Sequence, residues 1–463
     1  MNIVLLMSDT FRFDNLFSRG AMPVRTPHLD AFAERAVSAS RMITSSFPTI
    51  PHRTDLTTGR YGWPWYAWQD RRQSGENHLP ALLKPEGFVS QLICDCPHLF
   101  RNGFDAGFDG SLVLRGQEGD IDFTRTNKPF EHAMPPGKTR SSQHFKGRNL
   151  VDISRWNHGV WRHEAETFPP RTAAKVIEWL EANHRHDPLL LWADFFDPHE
   201  PWDPPEYFVR RYDPSYTGTP MTHPNYGRAS DYTDEELRNL RAHYCAEAEL
   251  VDRWVGRVME KIEDLGLWDN SIVVFTADHG ISLGEHNRTG KSNINTGDDR
   301  FWPLYPEIAH VPFMIAAPGL TGGTTLERFV QPPDILPTLL ELAGLDGVET
   351  PEPVHGRSFA PLLRGEEPAE PWREFAVAGC LLRKARCEYG SGATTPVVYT
   401  DRWVYAPIGS GGKRELYDWS SDPLAEKNRI DGNESTADRL HGLLIEWLES
   451  VGAPREAIEP YKT

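Results

Sequence analysis

The sequence predicts an α/β fold: a mainly parallel central sheet covered by helices, then a smaller C-terminal antiparallel sheet with one helix. Three observations predict it. Continuous apolar runs, typical of strands covered on both faces, alternate with segments of helical spacing through most of the chain. Carboxylates and histidines gather directly after those runs, at the edge where open parallel sheets bind ligands. Beyond about residue 366 the alternation gives way to short strand-like stretches.

The first run, NIVLLM (Asn2–Met7), predicts a strand, and HLDAFAERAV (His28–Val37) a helix. FVSQLIC (Phe88–Cys94) is again strand-like. Residues 101–170 are rich in Gly, Pro, Arg and His and have weak periodicity. They are expected to form a long excursion over the active site. TAAKVIEWLEANH (Thr172–His184) is amphipathic, and LLLWADFF (Leu189–Phe196) is a further strand. Thr233 and Glu236 have capping-box spacing and predict a long helix running to about Leu265. SIVVFTA (Ser271–Ala277) and VPFMIAA (Val311–Ala317) complete the large sheet. EFAVAG, PVVYT, RWVYA and RELYD predict the small sheet, with a helix over Ser435–Ser450. A chain of 463 residues is long for one domain. The expected division is a catalytic α/β domain over 1–365 and a small α+β subdomain over 366–463.

Hydrophobic residues make up 39% and charged residues 25%, an ordinary globular balance. The formal net charge of -17 argues against nucleic acid as a partner. A small anion can still be drawn to a local positive cluster. Cys94, Cys96, Cys245, Cys380 and Cys387 are odd in number and widely spaced, which predicts unpaired thiols in a reducing compartment. MNIVLLMSDT lacks the basic start of a signal peptide, and no apolar run reaches the roughly 18 residues of a membrane span. A cytoplasmic protein with no membrane partner is expected. The sequence carries no signal for oligomeric state.

Ser8, Asp9 and Thr10 follow the first strand; Asp95 and His98 follow the third segment; Asp197, His199 and Glu200 follow Leu189–Phe196; Asp278 and His279 follow Ser271–Ala277. Carboxylates gathered at one edge repel unless a cation neutralises them. One divalent metal ion is therefore expected: Ca, Mg or Mn by the hard oxygen ligands, with Zn also compatible.

The segment SSFPTIPHRTDLTTGRY (Ser45–Tyr61) adds an anion site. Pro51 favours a helix start, and Gly59 a helix end, so a helix over Pro51–Thr58 is expected. Thr49 then lies at its N-terminus, where free N–H groups favour an anion, and Arg53 lies about one turn on. Lys291, in a Gly-rich loop after Asp278–His279, is placed to contact the charged oxygens of a substrate. Trp63, Trp65, Tyr66 and Trp68 form an aromatic cluster, read either as core packing or, for Trp63 and Trp65, as an apolar wall for the leaving group.

IVLLMSDT, TPHLDAFAERAV, PTIPHRTDLTTGRY, DPHEPW, YCAEAELVDRWVGRVMEKIEDLGLWDNSIVVFTADHG, HVPFMIAAPG and ELYDWSSDP together resemble the sulfatase family of the alkaline phosphatase superfamily. The resemblance covers nearly the whole chain and implies an alkaline-phosphatase-like α/β sandwich and a hydrolase of sulfate or phosphate esters. It implies that Asp9, Asp278 and His279 bind metal, that Arg53 supports the nucleophile, that His199 contacts the ester or leaving oxygen, and that Lys291 binds the charged group. His98 falls where the family has the histidine of a Lys-x-His pair.

Three positions depart from the pattern. Thr49 replaces the Cys or Ser that the family oxidises to formylglycine. Shifting the match to Ser46-Phe47-Pro48 would put Ile50 in place of the arginine, so that register is rejected. Thr10 replaces an acidic residue, leaving a weaker metal ligand beside Thr49. Cys96 replaces the Lys of the Lys-x-His pair.

Formylglycine hydrate has two hydroxyls, one to attack and one to expel sulfate. Threonine has one, and its oxidation would give a ketone. A phosphorylated threonine can still be released by water, which tilts the expected chemistry towards phosphate or phosphonate esters. The alternatives are sulfuric ester hydrolysis by a formylglycine-independent route, or a non-catalytic homologue that binds an anionic ligand. Metal content separates catalyst from binder.

Overall fold

The apolar run of Asn2–Ser8 is buried along its whole length because strands flank it on both sides in an eight-stranded sheet. The computed structural model describes the chain except residues 19–21, 66–76, 128–133, 136, 139–143, 146–147, 293–297, 382–395 and 463. Across the sheet the strands are Thr324–Leu326, Val37–Ala39, Phe313–Ala316, Ser271–Ala277, Asn2–Ser8, Leu189–Phe195, Val89–Cys94 and Gly110–Val113. From Ser271–Ala277 to Gly110–Val113 every pairing is parallel. Phe313–Ala316 runs antiparallel to both neighbours, a reversal that hydrophobic pattern alone does not encode.

Helix boundaries follow local chemistry. Pro27–Arg35 ends where Val37 enters the sheet. Phe168–Asn183 starts four residues ahead of the expected Thr172, because Pro169 and Pro170 are tolerated in a first turn. Asp234–Asp264 is held at its start by Thr233 and Glu236, each accepting the other's backbone N–H. Within 101–170, Gly110–Val113 adds an edge strand and Leu150–His158 a helix capped by Asn149. The expected long excursion thus carries a strand and a helix of its own: the edge strand is half exposed, so it lacks the apolar run that marks the central strands.

The small sheet has five strands: Glu415–Asp418, Trp403–Ala406, Val397–Thr400, Phe375–Cys380 and Ser46–Phe47. The last comes from far upstream and pairs parallel with Phe375–Cys380. Helix Glu434–Ser450 covers this sheet with Ala437, Leu440, Leu444 and Leu448, one face at helical spacing. The small sheet thus anchors the chain just before Thr49. Cys94, Cys96 and Cys245 are buried free thiols, Cys380 is buried, and Cys387 lies outside the described residues. Among the described residues no helix is long and apolar enough to cross a membrane.

Candidate active site

Parallel register builds the centre of the site. Ser8 pairs with Ala277 as the last step of the ladder, so Asp9 and Asp278 leave the sheet side by side. His279 follows. Its Nδ1–H donates to the Gly280 carbonyl at 3.0 Å, which leaves Nε2 as a lone pair 3.6 Å from Asp278 Oδ2 and 3.9 Å from Asp9 Oδ1. One atom from each of the three residues falls within 4.8 Å of the others. All three side chains are fully buried, yet Asp9 Oδ2 and His279 Nε2 have no hydrogen-bond partner among the described residues. Orphaned buried acceptors are costly. Two carboxylates and a fixed neutral imidazole fit a divalent cation.

Electrostatics point the same way. Burial drives the Asp9 carboxyl well above its ordinary range, and Asp278 adds to the shift against the pull of Arg53 and Lys291. Burial is also the largest influence on Asp278 and would raise it, but His279 and Arg53 together hold it well below. The two carboxyls are thus driven in opposite directions, Asp9 towards its protonated form and Asp278 towards its ionised form, and a cation's charge would relieve the conflict. Burial holds His279 down at about 4, so it is a neutral imidazole at pH 7.

The helix over Thr49–Thr58 begins two residues before the expected Pro51, and Gly59 closes it at φ 68°. Pro51 sits in the first turn, where a missing N–H costs nothing. Thr49 is the first helical residue and is buried, and no hydrogen bond engages its hydroxyl among the described residues. Its carbonyl accepts Arg53 Nη1 at 3.0 Å, and the same nitrogen donates to Asp278 Oδ2 at 2.6 Å. Arg53 Nε and Nη2 each donate to Asp194 at 2.8 Å. Sequence reasoning missed Asp194 as a site residue. Its signal was a lone carboxylate inside the buried run LLLWADFF.

Thr10 adopts φ 63°, unusual for a β-branched residue. Its N–H donates to Asp278 Oδ1 at 3.0 Å and its hydroxyl to Asp9 Oδ1 at 2.8 Å. The same hydroxyl accepts Lys291 Nζ at 3.2 Å. Thr10 thus braces both carboxylates and ties Lys291 to them. Lys291 Nζ is also 3.9 Å from Glu200 Oε2, and Glu200 accepts the Tyr226 hydroxyl.

His199 stacks on Phe196 at 4.0 Å, and its Nδ1–H donates to the Glu200 carbonyl at 2.6 Å. Burial, helped by Lys291 and opposed by Glu200, pushes it down to about 3, so it is neutral at pH 7 with Nε2 as an acceptor. The native state then refuses a proton that the unfolded chain accepts below its ordinary 6.5. This contribution to stability is full above 6.5 and is lost as pH falls towards 3. At pH 5 the loss is about 2 kcal/mol. The apparent thermal midpoint of the wild type should fall between pH 7 and 5, and His199→Asn should fall less over the same series.

The remaining expected groups have partners of their own. His98 pairs with Glu118 at 2.8 Å. Cys96 is a neutral thiol, pushed up by burial although Arg53 pulls it down. Asp95 accepts the Phe196 N–H at 2.6 Å and the Thr172 hydroxyl, and Asp197 accepts Gln117 at 2.8 Å, so both brace loops. Trp63 stacks flat on Trp447, with centroids 5.8 Å apart, inside the small-sheet core. This corrects the reading of Trp63 as a substrate wall: an aromatic cluster does not say which core it fills. Trp65, half-buried, stacks on His355 at 5.4 Å. Tyr66 and Trp68 lie outside the described residues.

Comparison with known proteins places this geometry. The family model "Sulfatase" matches residues 1–345, and that of the N-sulphoglucosamine sulphohydrolase C-terminal region matches 296–450. An arylsulfatase of Clostridium perfringens is 25% identical, over 97% of this chain and 94% of that protein. The crystal structure of a phosphonate monoester hydrolase of Agrobacterium radiobacter superposes with a TM-score of 0.74 at 24% identity, covering 97% of this chain and 95% of that one. A structure in complex with its substrate D-glucosamine-2-N,6-O-disulfate gives 0.71 at 19% identity, covering 97% and 98%. The chain belongs to the sulfatase family and is a hydrolase acting on ester bonds.

Proposed function

We propose that this protein is a metal-dependent hydrolase of small anionic esters that uses the Thr49 hydroxyl as a direct nucleophile, with phosphate or phosphonate esters as its preferred class. One observation carries the reading. A hydroxyl with no hydrogen-bond partner among the described residues opens the helix whose Arg53 touches Asp9, Asp194 and Asp278.

Asp9, Asp278 and His279 would hold the cation, with Thr10 and the Thr49 hydroxyl as further oxygen donors. Such a cation supplies positive charge that lowers the pKa of a nearby hydroxyl and stabilises a developing oxyanion. Thr49 Oγ attacks phosphorus, forming one P–O bond while the ester P–O bond breaks. Arg53 and Lys291 stabilise charge on the non-bridging oxygens. The proton lost by the Thr49 hydroxyl balances the one gained by the leaving oxygen. His199 is the proposed carrier: neutral at rest, it must take a proton at Nε2 before it can give one. Water then cleaves the Thr49 ester, releasing the anion and restoring the hydroxyl. His98 lies at the family's Lys-x-His position and supports the site through Glu118. Trp65 is the remaining aromatic candidate beside the substrate.

Two outcomes separate the alternatives. A panel of matched 4-nitrophenyl sulfate, phosphate, phosphodiester and phosphonate esters, each with Mg, Mn, Ca and Zn, should give kcat/KM at least about tenfold higher for a phosphorus ester than for the sulfate. The opposite ranking would move the assignment to formylglycine-independent sulfuric ester hydrolysis. Anion binding without turnover would move it to a binding protein. His199→Ala should slow esters of poor leaving groups by about 10²-fold or more and 4-nitrophenyl esters far less. The readout is a steeper dependence of log kcat/KM on leaving-group pKa.

A further inference from the structure

Arg53 is fully buried and its guanidinium faces three carboxylates, Asp9, Asp194 and Asp278. They are not treated alike. Asp194 takes the fork with two parallel bonds of 2.8 Å from Nε and Nη2. Asp278 takes one bond from Nη1. Asp9 Oδ2 lies only 3.3 Å from Nη2 yet receives no hydrogen bond. Asp194 is itself fixed. It pairs in register with Met7 on one side and Cys94 on the other, and the Trp192 indole N–H donates to its Oδ2 at 2.9 Å. A rigid strand carboxylate therefore aims the guanidinium past Asp9.

We propose that Asp194 is a positioning residue that locks Arg53 in one pose, so that Asp9 Oδ2 keeps its lone pairs for the cation and Arg53 stays against the carbonyl of Thr49. The proposal rests on the reading of Asp9, Asp278 and His279 as cation ligands. Without Asp194 the buried guanidinium takes its nearest unused acceptor, Asp9 Oδ2, and competes with the metal.

The test is calorimetric titration of the metal-stripped protein with Mn²⁺ alone, together with kcat and KM on the best ester. Asp194→Asn should raise the Mn²⁺ dissociation constant by about tenfold or more and lower kcat by a similar factor, with KM little changed. Asp194→Glu keeps the charge but displaces the fork, and should show both effects as well. Trp192→Phe removes the donor to Asp194, together with some buried ring volume, while leaving Asp194 itself in place, and should raise the dissociation constant by about threefold. It decides the matter if the Asp194 variants do not fold. A lower melting temperature with unchanged Mn²⁺ affinity and kcat means a structural role only and overturns the proposal. Normal behaviour of Asp194→Glu beside a weakened Asp194→Asn means a bulk charge effect and also overturns it. A wild type that binds no divalent cation overturns the metal reading and this proposal together. Normal wild-type binding with unaltered variants overturns this proposal alone.

Discussion

Thr49→Ala is expected to lower kcat by about 10⁴-fold or more on every accepted ester while Mn²⁺ affinity changes far less. The reasoning is local. The substitution removes the hydroxyl and one methyl, Thr49→Ser removes the methyl alone, and the helix that Thr49 opens stays fixed at both ends. Upstream, Ser46–Phe47 is locked into the small sheet. Downstream, Gly59 N–H returns to the Asp55 carbonyl at 3.0 Å. The Thr49 carbonyl that holds Arg53 is backbone and survives the substitution. Lost turnover with an unchanged melting temperature therefore reports chemistry rather than folding. Thr49→Ser keeps a hydroxyl and should retain activity within about a factor of ten. Steady-state kinetics alongside thermal melts of both variants check this.

Asp278→Asn is the second large effect, and its character differs. Asp278 accepts the N–H groups of Thr10 and His279 and the guanidinium of Arg53. An amide in its place puts a donor where those donors already point and leaves buried Arg53 short of a counter-charge. Breaking a buried ion pair costs about 3–5 kcal/mol. Loss of cation binding, loss of activity by about 10³-fold or more, and a clear fall in melting temperature are expected together. Asp9→Asn is the informative contrast. Asp9 Oδ2 has no hydrogen-bond partner, and its carboxyl already favours the neutral form. The Asn variant should therefore lose the cation and the activity with a much smaller loss of stability. Metal content after dialysis, kcat and melting temperature for the two variants separate ligand from brace.

The legible parts of this fold were those where one physical signal dominates. Central strands such as Asn2–Ser8 and Ser271–Ala277 are buried on both faces and read directly as apolar runs. The Thr233–Glu236 capping box marked its helix start to the residue. The strand-end rule brought Asp9, Asp278 and His279 to attention because parallel register fixes which residues emerge together. Less was legible where the deciding partner is distant in sequence. Nothing near Trp63 announces Trp447, and nothing near Ser46 announces the strand Phe375–Cys380. Asp194 looked like a polar interruption of a strand until Arg53 arrived from another element. The split duties of strand-end carboxylates, proposed cation ligand for Asp9 and loop brace for Asp95, depend on hydrogen-bond partners that periodicity cannot name.

The central claim is that the phosphoryl transfer passes through Thr49 rather than directly to water, and the steric course at phosphorus tests it most directly. A phosphate diester made chiral at phosphorus with two oxygen isotopes is hydrolysed in water of the third isotope, and the configuration of the phosphate monoester produced is determined. Attack by Thr49 followed by attack by water inverts phosphorus twice, so the account predicts net retention. Net inversion would mean a single displacement by water and would contradict it.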